Sequence, residues 1–188
     1  MFEIKTIVKD SDELLREKSE PVKEPISQED IDFALYLRDY LIFSSKEENC
    51  QKYGLRPGVG LAAPQLGVLK RVCAIYVEYF NENDEVEKTV EYAFINPKII
   101  SHSQRQAYLL AGEGCLSVDQ EHPGYVKRYA FITVSAYDAI QKQYITVKLR
   151  GYDAIVAQHE IDHLDGILFY DRIDKNEPMK RIEGALEI

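Results

Sequence analysis

The stretch Gln158-His159-Glu160-Ile161-Asp162-His163-Leu164-Asp165-Gly166 contains two of the four histidines in the chain. Placed four residues apart on a helix, His159 and His163 share one face about 6 Å apart along the axis, so a single divalent ion can take a nitrogen from each. Glu160 follows the first histidine directly and can reach an activated water without binding the ion. That is the logic of a His-Glu-x-x-His site, two ligands and a general base. The plain alternative is a surface pair or a purely structural metal. Apolar Ile155, Val156, Ile161 and Leu164 on the same helix, with Glu160 beside His159, favour metal binding.

A catalytic site needs a third ligand and an open position. Gly166 fits the continuation His-x-x-Gly-x-x-His, but the next ligand position is Phe169, which cannot bind a metal. Glu183, twenty residues beyond His163, survives on spacing as a later carboxylate ligand. The third option lies upstream at Cys115, within Glu113-Gly114-Cys115-Leu116-Ser117, where Gly112 and Gly114 permit close backbone approach. Cys50 and Cys73 read as buried apolar residues. His102 and His122, beside Ser101, Ser103 and Pro123, read as solvent-facing.

Several elements must position these groups. Ser27 followed by Asp30 resembles a capping box, and Ile31, Ala34, Leu35, Leu37, Tyr40, Leu41 and Phe43 then recur at helical spacing to about Ser44. After the Gly/Pro-rich stretch from Gly54 to Gly67, Val72 to Tyr79 reads as a strand. Asn81 to Glu85 makes an acidic turn, and Val90 to Phe94 returns. Phe131 to Tyr137 and Tyr144 to Leu149 form a second hairpin. Asp153 is the expected N-cap of the late helix and Gly166 its terminator. Residues 181–188 alternate like a short C-terminal strand. The expectation is an α+β fold: mostly antiparallel sheets packed around a late metal-binding helix, with an N-terminal helix.

With 188 residues and 21.7 kDa, residues 1–188 are expected to form a single domain. A net charge of −9 argues against DNA and broad nucleic-acid binding, which requires basic charge facing phosphates. The thirteen tyrosines, without a basic groove, do not make a base-stacking platform. Three sparse cysteines point to a reducing compartment. Met1-Phe2-Glu3-Ile4-Lys5 has no apolar run like that of a signal peptide, and no stretch of about 18 apolar residues occurs. A cytoplasmic protein without membrane contact is expected.

Three segments carry a resemblance when taken together. Gly58-Val59-Gly60-Leu61-Ala62-Ala63-Pro64-Gln65, Glu113-Gly114-Cys115-Leu116-Ser117 and Gln158-His159-Glu160-Ile161-Asp162-His163-Leu164 resemble, in order, the three signatures of the peptide deformylases. Asn96-Pro97-Lys98 and Phe169-Tyr170-Asp171-Arg172 are also similar to the family, so the resemblance covers most of the chain. The long linker before Gly58, the extra residues between the first two signatures, and an ending that alternates as a strand resemble the second, Gram-positive-type bacterial class. Asp12 to Arg16 is less rich in proline and glycine than the family's N-terminal segment.

The resemblance implies a metal-dependent amide hydrolase that removes the formyl group from N-formylmethionyl nascent peptides, releasing formate and a free N-terminal methionine. It favours Cys115 over Glu183 as the third ligand beside His159 and His163. Glu160 becomes the proton carrier, and Leu116 (through its backbone N–H) and Gln65 become oxyanion donors. Gly60 pairs with the extended substrate. Val59, Tyr125, Ile155 and Val156 are candidates for an apolar methionine pocket, with core packing the equal alternative. The family implies Fe2+ physiologically, with Zn2+, Ni2+ or Co2+ as substitutes, although zinc binds such sites more tightly by intrinsic affinity. A transient ribosome contact is placed near Lys175, Lys180 and Arg181. Two other readings stand against this one: a zinc endopeptidase using Glu183, and a non-catalytic peptide-binding module with a structural metal.

Overall fold

A computed structural model describes residues 3–188. Met1 and Phe2, at the start of the segment expected to lack a signal-peptide core, lie outside the described residues. Three helices, α1 (Gln28–Ser44), α2 (Glu47–Tyr53) and α3 (Gly151–Leu164), accompany eight strands. These are β1 (Gly60–Ala62), β2 (Val72–Phe80), β3 (Val86–His102), β4 (Gln106–Tyr108), β5 (Arg128–Tyr129), β6 (Phe131–Asp138), β7 (Gln143–Arg150) and β8 (Leu186–Glu187). The main sheet has the order β1-β2-β3-β6-β7 and is antiparallel throughout. A small second sheet, β5-β4-β8, contains one parallel pair, β4 with β8. The architecture is α+β and mostly antiparallel.

The main sheet is covered on both faces, which the period-2 geometry of a strand makes visible in β2. Val72 and Ala74 pack with Ile31, Ala34, Leu37 and Leu41 of α1. Cys73, Ile75 and Val77 point the other way and join Ala154, Val156, Ala157, Ile161 and Leu164 of α3. Val72 to Ile75 is therefore a continuously buried run rather than an alternating one. Helix α1 begins as its sequence implies: the Ser27 hydroxyl accepts from the Asp30 N–H at 3.2 Å and donates to the Asp30 carboxylate at 2.6 Å.

Four elements depart from expectation. The return strand is far longer than 90–94, because β3 changes partners along its length. It pairs with β2 through Ile95 and with β6 from Phe94 onward, across a register shift between Ile95 and Lys98. Asn96 sits in that shift at φ 54°, and Pro97, which lacks an N–H, occupies the irregularity that tolerates it. The Asn96 amide in turn holds both backbone groups of Val22, at 2.8 and 2.9 Å. Asp153 is not the N-cap of α3. Gly151, at φ 56°, lets the chain turn from β7 straight into the helix, so Asp153 lies in the first turn, where it accepts from the Tyr79 hydroxyl at 2.5 Å. The C-terminal strand is only Leu186–Glu187, because residues before it form turns. Helix α2 was not anticipated.

Gly166 terminates α3 as its type suggests, at φ 72°. A Cβ there would also sit 2.3 Å from the Arg16 carbonyl oxygen, which approaches from the N-terminal segment. Gly166→Ala should therefore combine left-handed strain with a backbone clash. A loss of about 2–3 kcal/mol and a Tm lower by roughly 5–10 °C are expected in thermal unfolding at fixed metal loading.

Candidate metal centre

Helix α3 is buried from Asp153 to Leu164, polar residues included. A buried polar group without a partner costs about 1–3 kcal/mol, so the fate of each one is informative. Gln158 bonds both backbone groups of Tyr129 and the Ala154 carbonyl. Asp162 accepts from Arg128 Nη1 at 2.5 Å and Arg172 Nε at 2.5 Å on Oδ2, and from Arg172 Nη2 at 2.6 Å on Oδ1. Two groups on this helix have a buried side-chain atom with no hydrogen-bond partner: Oε2 of Glu160 and Nδ1 of His163.

The two imidazoles lie with ring centroids 5.0 Å apart at 72°. Cys115, from the irregular segment after β4, brings its Sγ to 3.3 Å from Nε2 of His163. One donor atom from each of Cys115, His159 and His163 lies within 4.8 Å of the others. Glu183 is exposed and outside this group. A thiolate and two imidazoles suit a borderline divalent ion, and three protein ligands leave a position open. The donor set fits a catalytic metal.

The group behind His159 escaped the sequence argument. Its Nδ1 contacts Oε2 of Glu113 at 2.9 Å, which fixes the ring and turns the other nitrogen toward the centre. Glu113 is in turn gripped by Arg128 through two bonds of 2.8 Å. Burial alone would raise the Glu113 pKa, but Arg128 and His159 outweigh it and bring it down to about 2. Burial likewise opposes charge on His159, yet its bonds to Cys115 and Glu113 lift its pKa well above 6.5. For His163, burial and the neighbouring His159 and Arg128 hold the ring well below that value, neutral and ready to ligate. Glu113 stood in a quoted motif and Asp162 within the helix signature. Arg172 closed a quoted segment without a role assigned to it, and Arg128 gave no signal at all, because its partners Glu113 and Asp162 lie 15 and 34 residues away.

Glu160 sits against β1. A Cβ on Gly60 would lie 2.2 Å from its Oε1, so only glycine leaves room for this carboxyl. Burial pushes the Glu160 pKa up to about 7. Gln65 is buried too. Its Oε1 accepts from the Ala62 N–H at 2.8 Å, and its Nε2 points to Ser117 Oγ at 3.2 Å and Cys115 Sγ at 3.4 Å. Among the described residues, the Leu116 N–H makes no main-chain hydrogen bond.

A cavity of about 610 Å³ opens beside these groups, lined by Gly60, Gln65, Cys115, Leu116, His159 and Glu160 and by apolar Val59, Leu109, Tyr152, Ile155 and Val156. Tyr125 is not part of that wall. Its ring packs against Tyr108 at 4.5 Å, and its N–H donates to the Pro178 carbonyl, because the chain there runs along the second sheet. A larger hollow of about 790 Å³, bordered by β3, β6 and β7, contains none of the catalytic candidates. Cys73 is fully buried, whereas Cys50 is half-buried and donates to the Ser44 carbonyl. His102 is exposed, but His122 is only half so, stacked on Tyr170 at 4.2 Å.

Comparison with known proteins accords with this geometry. The family model described as polypeptide deformylase matches residues 4–179. Peptide deformylase 2 of Geobacillus stearothermophilus is 49% identical over 188 residues, covering 100% of this chain and 99% of its own. Peptide deformylase of Staphylococcus epidermidis is 47% identical over 188 residues, covering 100% of both. A crystal structure of class I type b peptide deformylase from Acinetobacter baumannii with Met-Ala-Ser bound superposes with a TM-score of 0.70 at 27% identity, covering 92% of this chain and all of that one.

Removing the charge behind His159 should be felt at the metal. Glu113→Gln is expected to lower metal affinity by roughly 10–100-fold, read by competition with a chelator of known strength. An unchanged affinity would mean that the ring needs no carboxylate to orient it.

Proposed function

The chain belongs to the polypeptide deformylase family, and from that premise we infer that it hydrolyses the N-terminal formyl group of formyl-methionyl nascent polypeptides, releasing formate and a free amine. The observation that carries the reading is the grouping of Cys115, His159 and His163 within 4.8 Å beside a buried Glu160 oxygen that has no partner. Residues 3–188 act in this reading as one catalytic domain.

Cys115, His159 and His163 would hold the metal. When bound, it supplies Lewis acidity, which activates water and polarises the formyl carbonyl. Glu160 accepts the proton of the attacking water on a carboxylate oxygen and later delivers it to the amine nitrogen as the C–N bond breaks. A carboxyl poised near neutrality can do both. The Leu116 N–H and Gln65 Nε2 donate to the formyl oxygen as negative charge grows on it. One such donor is worth about 3–4 kcal/mol in comparable oxyanion holes. Gly60 presents backbone to an extended substrate while leaving space for Glu160. Val59, Ile155 and Val156 line the apolar space beside the centre and would take the methionine side chain.

The physiological ion in this reading is Fe2+, with Ni2+, Co2+ or Zn2+ able to replace it. The working compartment is the cytoplasm, and among the described residues no helix is long and apolar enough to cross a membrane. The substrate arrives on the ribosome, and Lys175, Lys180 and Arg181, all exposed, would make a transient contact there. Lys180 and Arg181 already face Glu177 and Glu187, at 2.6 and 3.6 Å, which weakens their net charge.

The test is formate release from a formyl-Met tripeptide by protein purified without oxygen, with metal quantified on the same sample. Glu160→Gln should keep its metal and lose about 10²–10⁴-fold in turnover. Cys115→Ala should lose the metal itself; retention would favour a zinc endopeptidase with another third ligand. The iron form should lose activity in air faster than the nickel form, since both ferrous iron and thiolate oxidise. Equal decay of the two would count against iron. No formate from protein carrying one metal per chain would overturn the function.

A further inference from the structure

The segment from Cys115 to Asp119 bears one proposed metal ligand and the Leu116 N–H, yet it belongs to no helix or strand that would hold it in place. The Val118 N–H donates to the Cys115 oxygen at 3.2 Å in a single turn, and the carbonyls are otherwise pinned by groups from elsewhere in the chain. Arg56, in the linker between α2 and β1, places Nη1 3.2 Å from the Val118 oxygen and Nη2 3.2 Å from the Cys115 oxygen, and donates to the Leu116 oxygen as well. Lys9 Nζ reaches the Leu116 oxygen at 3.3 Å, and the Asp10 N–H donates to the Ser117 oxygen at 2.9 Å. Asp119 joins the two cations, 2.7 Å from Lys9 and 3.3 Å from Arg56. Every carbonyl from Cys115 to Val118 therefore has a donor, and three of the four are held by one guanidinium.

The Cys115 carbonyl and the Leu116 N–H are the two ends of a single peptide group. A charged donor on the oxygen withdraws electron density through the amide and makes the N–H a stronger donor, the cooperative effect of hydrogen bonds in series. It also stops the peptide plane from rotating about the two soft dihedrals beside it. We propose that Arg56 is a positioning residue for the hydrolysis: through the Cys115 carbonyl it fixes and polarises the peptide whose Leu116 N–H receives the formyl oxygen. The inference rests on the oxyanion role given to Leu116 above. Arginine suits the task because its planar fork offers several donors at fixed angles, whereas a lysine ammonium is a compact point charge. Its side chain is 47% exposed, so the fold has little need of it, while a small cation in solution can reach the space it would vacate.

The experiment compares wild type with Arg56→Lys and Arg56→Ala, each as zinc- or nickel-loaded full-length protein. Formate release gives kcat and KM, and metal per chain is measured on the same samples. The amide resonance of Leu116 is followed in the zinc-loaded proteins. Expected are full metal occupancy, KM within about twofold, and kcat lower by roughly tenfold, less than removal of a whole oxyanion donor. The Leu116 amide proton should move upfield in both variants, and millimolar guanidinium should restore part of the Arg56→Ala rate. Unchanged kcat, or an unmoved Leu116 amide, would overturn the proposal. A rise in KM at constant kcat would make Arg56 a substrate contact instead, and loss of metal in step with activity would make it only a support for Cys115. Absence of formate from the wild type would overturn the deformylase reading, a result distinct from any of these.

Discussion

A helix buried on every side must find a partner for each polar group it carries, and α3 carries six. That constraint organises the molecule. The sheet supplies apolar cover through Ile75, Phe94, Ile132 and Leu149 on one side of the helix. The remaining surface has to be met by groups that can accept or donate. Gln158 is satisfied locally, by a strand end and its own helix. The charged residues recruit distant chain: Arg128 from β5, Arg172 from the turn after α3, and Glu113 from the segment that also delivers Cys115. That need, through Glu113, is one of the ties that bring the region around Cys115 to the histidines.

The run Glu113–Arg128–Asp162–Arg172 is more readily understood as a device for orientation than as a source of stability. Burying ions costs several kcal/mol each, and their mutual attraction does little more than recover it. Alternating signs, however, tolerate one arrangement far better than any other. Arg128, with its side chain 1% exposed, holds Glu113 and Asp162 at once, so the histidine-bearing helix and the cysteine-bearing segment share a single cation. The imidazole of His159 inherits its direction from that cation, two bonds away.

Much of this was legible in the sequence, and the reason is periodicity. The α1 stripe, the hairpin β6–β7 and the i, i+4 histidines follow from local spacing, as does the end of α3 at Gly166. The motifs around Gly60, Cys115 and His159 carried the site because a family resemblance supplied what spacing left open between Cys115 and Glu183. What the sequence concealed depends on contacts between distant residues. The partner exchange of β3 at Asn96-Pro97 requires knowing that β6 lies beyond it. The start of α3 at Gly151, ahead of Asp153, follows from a tight exit from β7. Arg128 is an ordinary surface residue type until the fold buries it, and Arg172 stays exposed while its guanidinium reaches Asp162. Tyr125, unlike Val59, Ile155 and Val156, flanks no catalytic candidate in sequence, and its ring packs on Tyr108 of the second sheet.

Charge balance also favours a cation at the centre. Within the buried run, Glu113 offsets Arg128 and Asp162 offsets Arg172, which leaves no spare cation from that network for Cys115 or Glu160. A thiolate ligand and a carboxylate base in so enclosed a space would repel each other and be poorly solvated. In the deformylase reading, a divalent cation held by Cys115, His159 and His163 would offset both charges and would give the otherwise costly burial of Glu160 its rationale. Burial is the leading cause that holds the Glu160 pKa near 7, with His159 and Arg128 pulling it down and Glu113 and Asp162 pushing it up.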